Sequence, residues 1–419
     1  MDVSARHRRE ARRLLTGTTT GRVFLTLLCA WVLIGLLSPV SDAQDAIPYA
    51  VAGELWVDDP RLVYNSEGES LYDLEPEFRA RSCEIIGDPV RCEEIAVAFV
   101  SPPTVLPLAG LLVLPGSTFA VRTMTAGAGL VLAAAMLALW WRLAPIGRHA
   151  PVILVVTTLL LTPLAANPIR LGQTSPLMAL SVALGVGSFG GRRWRWASEA
   201  ALGMAIACKA LPALLLGLLV AQRRLASALR VVAGLGVLTV VALAVGGVDL
   251  VPEFLRSTAS VNDQTASNPY NSGLEAVVYR FPGVSVSAET ATAVATVLRL
   301  VLVPVLALAV VRRRGDAAWA VAWAALVVVT PLSWWHYVLA TVLALGVAIA
   351  GSDRAAEVLP LLPAAAAATL VVEALGLDHP LVRASFATAV LAAVLRITEP
   401  PPDSAIGTVT TQQQPAGAA

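Results

Sequence analysis

Apolar runs of membrane-spanning length recur from about residue 22 to residue 396, separated by short polar or arginine-rich stretches. About twenty consecutive apolar residues cross a bilayer as a helix, so the pattern predicts an all-α polytopic membrane protein. The runs fall at 23–40, 123–141, 151–166, 173–188, 231–246, 290–311, 317–329, 338–350, 358–373 and 382–395. Residues 102–115 carry four prolines in a short apolar stretch and read as re-entrant or interfacial. About 10–12 membrane segments are expected once short and re-entrant helices are counted.

Arginine-rich short loops mark the cytoplasmic side. They occur at 6–13, 142–148, 192–195, 223–230 and 312–314. Threading the runs between them leaves two large outer loops, 41–100 and 247–289. The chain then divides into a basic cytoplasmic N-terminus (1–21), a transmembrane domain (22–398) and a disordered tail (399–419) rich in Pro, Gln, Thr and Ala. The first run is longer than a signal-peptide core and is read as an uncleaved span.

Residues 197–221 break this simple threading, because arginines flank them on both sides. A hairpin of two short helices turning near Lys209 and Pro212 keeps both clusters inside. Neither half can span at about 1.5 Å per residue, so the tip lies past the midplane. Broken helices line cavities rather than lipid. Lys209 is the only lysine of the chain. An ammonium at membrane depth is costly and marks a functional position by default; the alternative is a lysine snorkelling near a helix end.

Only 14% of residues are charged against 57% hydrophobic, so the few polar groups within or beside the spans carry the information. No basic patch interleaved with aromatics suggests nucleic-acid binding. Cys83 and Cys92 flank a short polar loop on the predicted outer face, where a disulfide is permitted; they lack companions at zinc-site spacing. Asp45, Asn167, Gln173, Asn268, Asn271 and His336 all fall on the outer side, with Lys209 approaching from below. A carboxylate held at the membrane boundary is partly desolvated and becomes a better base, which favours Asp45. Asp42, Asp58 and Asp59 compete with it. His336 lies in a tight outer turn beside Trp334, Trp335 and Tyr337, suited to proton transfer, phosphate contact or aromatic packing. The two tryptophans form either a sugar-stacking platform or a membrane-interface belt.

These residues carry a resemblance. Asp45-x-x-x-Tyr49-x-x-Ala52-Gly53 resembles the opening signature of glycosyltransferase family 87, the actinobacterial polyprenol-phosphate-dependent mannosyltransferases of GT-C fold. Leu71-Tyr72-Asp73, Pro102-Pro103, Gly172-Gln173, Lys209 with Pro212, Asn271-Ser272-Gly273 and Pro331-Leu-Ser-Trp-Trp-His336 resemble the elements that follow. Two departures stand out: Tyr337 replaces the second histidine of the turn, and no asparagine follows Gly172-Gln173 at family spacing.

The resemblance implies a GT-C-type enzyme in the plasma membrane with its site on the extracytoplasmic side. It would move mannose from a polyprenyl-phosphate donor to a glycolipid or glycan acceptor with inversion, without metal or other cofactor. Asp45 would be the general base. His336 would orient the phosphate or the acceptor, and Lys209 would neutralise the leaving phosphate. Asn167, Gln173 and Asn271 would bind sugar hydroxyls or phosphate, and Tyr49, Trp334 and Trp335 would line the substrate site. Decaprenyl-phosphate arabinose is the alternative donor, and a lipid or solute transporter or an assembly scaffold is the alternative class.

Overall fold

The computed structural model describes residues 3–64, 74–185, 192–263, 266–268, 271–330, 335–376 and 379–399. Trp334, the Leu71-Tyr72-Asp73 motif and the expected disordered tail beyond residue 399 lie outside them. The described residues are helical, with no β-strand among them.

The first helices are α1 (Val3–Gly17), α2 (Thr19–Leu37) and α3 (Ile47–Asp58), then α4 (Pro76–Ile86), α5 (Pro89–Ile95) and α6 (Leu106–Val113). Next come α7 (Ser117–Leu143), α8 (Ala150–Arg170), α9 (Ser175–Leu184), α10 (Arg192–Cys208), α11 (Leu214–Ala221) and α12 (Leu225–Gly246). The chain continues through α13 (Leu250–Asp263), α14 (Leu274–Tyr279), α15 (Ala288–Val311) and α16 (Gly315–Val329). It ends with α17 (Val338–Ala350), α18 (Ala355–Val358), α19 (Leu361–Ala374) and α20 (Pro380–Ile397). Seven helical stretches are long and apolar enough to cross a membrane: α2, Ser117–Ile146, α8, α12, α15, Ala355–Ala374 and α20. Five shorter apolar helices accompany them, so the multi-pass helical architecture expected from hydropathy is the one observed.

Lengths and burial sort these helices. α17 has only 13 residues, and Val338 to Ile349 are all buried between α16, α20, α9 and α7. A helix that is apolar all round and buried all round belongs to a core. By contrast, 17% of the apolar window of α12 and 11% of that of α15 is buried, so their valines and leucines face outward. That outward apolar surface is stable only in lipid.

At the arginine-rich end, Arg142 closes the bundle. Its guanidinium bonds Asp316 at 2.5 Å and the carbonyls of Ala183 and Leu184 at 2.9 and 2.8 Å. One side chain thus joins the end of α7, the start of α16 and the unsatisfied carbonyls at the end of α9. Removing one partner of a buried pair is costly because the other charge stays buried. We expect Arg142→Met to destabilise the protein by about 3–5 kcal/mol, and Asp316→Asn by less, since the carbonyl bonds remain. Thermal unfolding in detergent reads both.

The first large loop is a second packed unit with its own core. Leu55, Tyr64, Phe78, Phe99 and Leu106 are buried there together with Cys208 from the tip of α10. The helices α3 and α6 meet backbone to backbone: a Cβ on Gly53 would stand 2.7 Å from the Ala109 carbonyl. Cys83 and Cys92 are joined in a disulfide linking α4 to α5. Residues 103–113 form a 3-10 turn and α6, too short to span and packed on α3, α7 and α12.

The segment around Lys209 is broken into two helices. α10 has 17 residues and α11 has 8, giving about 25 and 12 Å of rise against about 30 Å of hydrocarbon. Lys209 N–H still bonds Ala205 O, after which a 3-10 turn at Leu211–Ala213 leads into α11. The Thr104 hydroxyl donates to Ala207 O at 3.2 Å, satisfying a carbonyl that the break frees. Midway along α10, Arg230 of α12 grips Glu199 through two bonds of 2.7 Å.

Candidate active site

The site is built where residues 42–46 meet residues 170–175. The N–H groups of Asp45 and Ala46 both donate to Leu171 O at 3.1 Å. Gly172 then turns with φ +67, and a Cβ there would stand 2.6 Å from the Ala46 Cβ. Only glycine meets both the left-handed backbone and the close approach. We expect Gly172→Val to cost about 2–5 kcal/mol, from backbone strain and overpacking together. A lower thermal midpoint of the purified variant is the check.

Past that turn, three consecutive polar residues hook the preceding segment. The Gln173 amide donates to Asp45 Oδ2 at 2.7 Å. The Thr174 hydroxyl lies 3.4 Å from the Tyr49 hydroxyl, which is also 2.6 Å from Ser101 Oγ. The Ser175 hydroxyl donates to Gln173 Oε1 at 3.1 Å. Tyr49 is held edge-on to Phe99, with ring centres 5.3 Å apart, and Tyr64 donates to Ser101 O at 2.8 Å.

The four neighbouring aspartates separate by partner. Asp42 is gripped by Arg91 and by Arg170, the latter at 2.9 Å. Asp58 bonds Arg81 at 2.9 Å, and Asp59 bonds Arg61 at 3.0 Å. Asp45 accepts instead from the neutral Gln173 amide, with Lys209 in electrostatic range. Burial pushes its carboxyl above the ordinary carboxylate range; the Gln173 hydrogen bond and the Lys209 charge oppose that shift. The environment is that of a base tuned upward, and the other three acids lack it.

Lys209 stands at the tip of the broken hairpin. Its ammonium lies 5.4 Å from the centre of the Tyr337 ring and within electrostatic reach of Tyr49 and Asp45. His336 is buried, with its ring edge-on to Tyr337 at 4.9 Å. Burial, and then the Lys209 charge, hold its imidazole well below its usual pKa, so it is neutral at pH 7.

Asp45, Tyr49, Gln173, Lys209, His336 and Tyr337 therefore form one cluster drawn from four separate stretches of chain. The remaining candidates stand differently. Asn167 is exposed on α8, and among the described residues no hydrogen bond links its side chain to Asp45 or Lys209. Asn271 is buried, and its side-chain oxygen accepts from Gly273 N–H at 2.8 Å, shaping the turn into α14. Gln173 has its amide on Asp45, an arrangement that holds the acid in place. Trp335 contributes backbone to the 3-10 turn Trp335–Tyr337. Trp334 lies outside the described residues.

The sequence reading missed Tyr337, Ser101, Thr174 and Ser175 as members of the cluster. A signal existed for two of them: Gln173-Thr-Ser175 is a run of three hydrogen-bonding side chains between two apolar stretches.

The family model of glycosyltransferase family 87 matches residues 99–333, more than half of the chain. The chain belongs to glycosyltransferase family 87. No curated protein and no solved structure matches it. Membership makes the multi-pass helical bundle that of a membrane glycosyltransferase. The matched stretch contains Gln173 and Lys209, whereas His336 lies just after it and Asp45 and Tyr49 lie well before it. The fold brings these residues, from both sides of the family 87 region, onto the ones within it.

Proposed function

We propose that this glycosyltransferase moves mannose from a polyprenyl-phosphate mannose donor to a glycolipid or polysaccharide of the cell envelope. The reaction is placed at the extracytoplasmic boundary of the plasma membrane. The observation that carries the reading is the meeting of an unpaired-by-arginine carboxylate, Asp45, with the chain's only lysine at the tip of a broken helix pair. A sugar leaving a lipid phosphate needs a base for the incoming hydroxyl and a cation for the outgoing phosphate.

In this mechanism Asp45 removes the proton of the acceptor hydroxyl as its oxygen attacks the anomeric carbon. The bond from that carbon to the phosphate oxygen breaks, and the electron pair leaves with the lipid phosphate. Lys209 stabilises the growing charge on that phosphate in a medium of low dielectric. Attack from the opposite face inverts the centre, so a β-linked donor gives an α-mannoside. Neutral His336 beside Tyr337 is suited to donate a hydrogen bond to the phosphate or the acceptor. The arginine-rich loops at 142–148, 192–195 and 312–314 support the extracytoplasmic orientation of the site, since short basic loops favour the cytoplasmic side.

The test is sugar transfer in purified membranes from radiolabelled polyprenyl-phosphate mannose, run beside decaprenyl-phosphate arabinose. Incorporation from the mannose donor alone supports the proposal. Incorporation from the arabinose donor alone would reassign the donor while keeping the mechanism. No incorporation from either sinks the lipid-donor reading.

A further inference from the structure

The three residues after Gly172 do more than line the turn. A primary amide has two different ends: the oxygen only accepts and the nitrogen only donates. Placed the wrong way round, Gln173 would set its oxygen against the Asp45 carboxylate, two acceptors face to face. The Ser175 hydroxyl, buried at the start of α9, donates to Gln173 Oε1 at 3.1 Å. That leaves the amide nitrogen for Asp45, at 2.7 Å. The neighbouring hydroxyl, Thr174, is turned to Tyr49 and does not compete for the amide oxygen. The Gln173 backbone is itself fixed, since its N–H bonds Pro168 O at 2.9 Å behind the Gly172 turn.

We propose that Ser175 is a positioning residue: its hydroxyl braces the Gln173 amide with nitrogen against Asp45, and this relay helps to set the pH at which Asp45 ionises. The other groups around the acid are Lys209 from the hairpin and Tyr49 from α3, with Cys208 and Tyr337 next to Lys209. Asp42, three residues earlier, is neutralised by Arg91 and Arg170. None of these contacts the amide oxygen, so among the described hydrogen bonds Ser175 is the group that holds the far end of the amide while Asp45 takes its nitrogen. The catalytic consequence rests on Asp45 being the base, but the relay itself does not require turnover.

Carbodiimide labelling tests it directly. Dicyclohexylcarbodiimide reacts with protonated carboxyl groups in apolar surroundings, and mass spectrometry of the peptide containing Asp45 gives the pH midpoint of labelling. The full chain in detergent is used, as wild type, Ser175→Ala, Ser175→Thr and Gln173→Leu. Losing a donor to a carboxylate raises the midpoint. We expect Gln173→Leu to raise it by about one to two pH units, from the strength of a hydrogen bond to a charged group. Ser175→Ala should raise it by about half to one unit, because the amide loses the bond that holds it against the acid, and Ser175→Thr should restore it. A residue with a merely structural role would leave the midpoint unmoved.

An unshifted midpoint in a folded Ser175→Ala, a threonine that fails to restore it, or an Asp45 that does not titrate in the wild type would overturn the proposal. If Ser175→Ala does not fold, the threonine and Gln173→Leu midpoints decide the same question. A wild type that transfers no sugar yet shows these shifts would remove the proposed function and leave the relay standing.

Discussion

Asp45→Asn is expected to lower sugar transfer by about 10²- to 10⁴-fold, the range of a positioned general base, while leaving thermal stability at or above that of wild type. The two halves of that result have one cause. The carboxyl is raised above its ordinary range by burial, more than Gln173 and Lys209 lower it. A carboxylate whose folded pKa exceeds its unfolded one loses stability for the fold as pH rises through that interval. Above it, the charge is a net cost that the amide does not carry. The wild-type rate should also rise with pH through a midpoint above the usual carboxylate range, and a profile of kcat/KM reads it. A variant that loses both activity and stability would mark Asp45 as structural, and one that keeps full transfer would sink its role as base.

Lys209→Met should reduce transfer by about 10²- to 10³-fold, the scale of removing one preorganised donor from a developing charge. The effect should fall on kcat more than on acceptor KM, because the phosphate charge grows only as the bond breaks. The methionine keeps much of the apolar stem, so packing against Tyr337 and Cys208 changes little. This separates the two meanings of a lysine in an apolar stretch. A snorkelling side chain near a helix end would tolerate methionine without kinetic consequence. Lys209→Arg should recover only part of the activity, since the planar guanidinium is not a compact point charge beside the Tyr337 ring. Single-turnover measurements with labelled donor distinguish these outcomes.

The positions of the spans and the broken pair at Lys209 were legible from the sequence for the same reason. Hydropathy and flanking arginines are local properties, and a bilayer acts on each stretch of chain separately. The choice among Asp42, Asp45, Asp58 and Asp59 was not legible. Four acids lie close together in the sequence, and they part only through Arg91, Arg170, Arg81 and Arg61, three of which lie outside the immediate stretch of chain. Asn167 shows the converse. Its place at the outer end of a span suggested convergence, but the helical phase of α8 turns it to the exposed side. Tyr337 read as a departure from the family pattern and proves to be the ring beside Lys209.

The sequence by itself determined that this protein is a multi-pass helical bundle with a single lysine set between two apolar stretches, and its motifs carried the resemblance to a glycosyltransferase family. The helical spans follow from composition acting within single segments, and the resemblance follows from short motifs. Only the tertiary structure decided which acid faces that lysine, that the first large loop carries its own core, and that Ser175 and Gln173 form a hydrogen-bonded chain to the acid. Hydrogen-bond partners and helix phase join residues more than a hundred positions apart, as in the pairing of Gln173 with Asp45. Close packing fixes such pairings all at once, and no local pattern of apolar and polar residues encodes them.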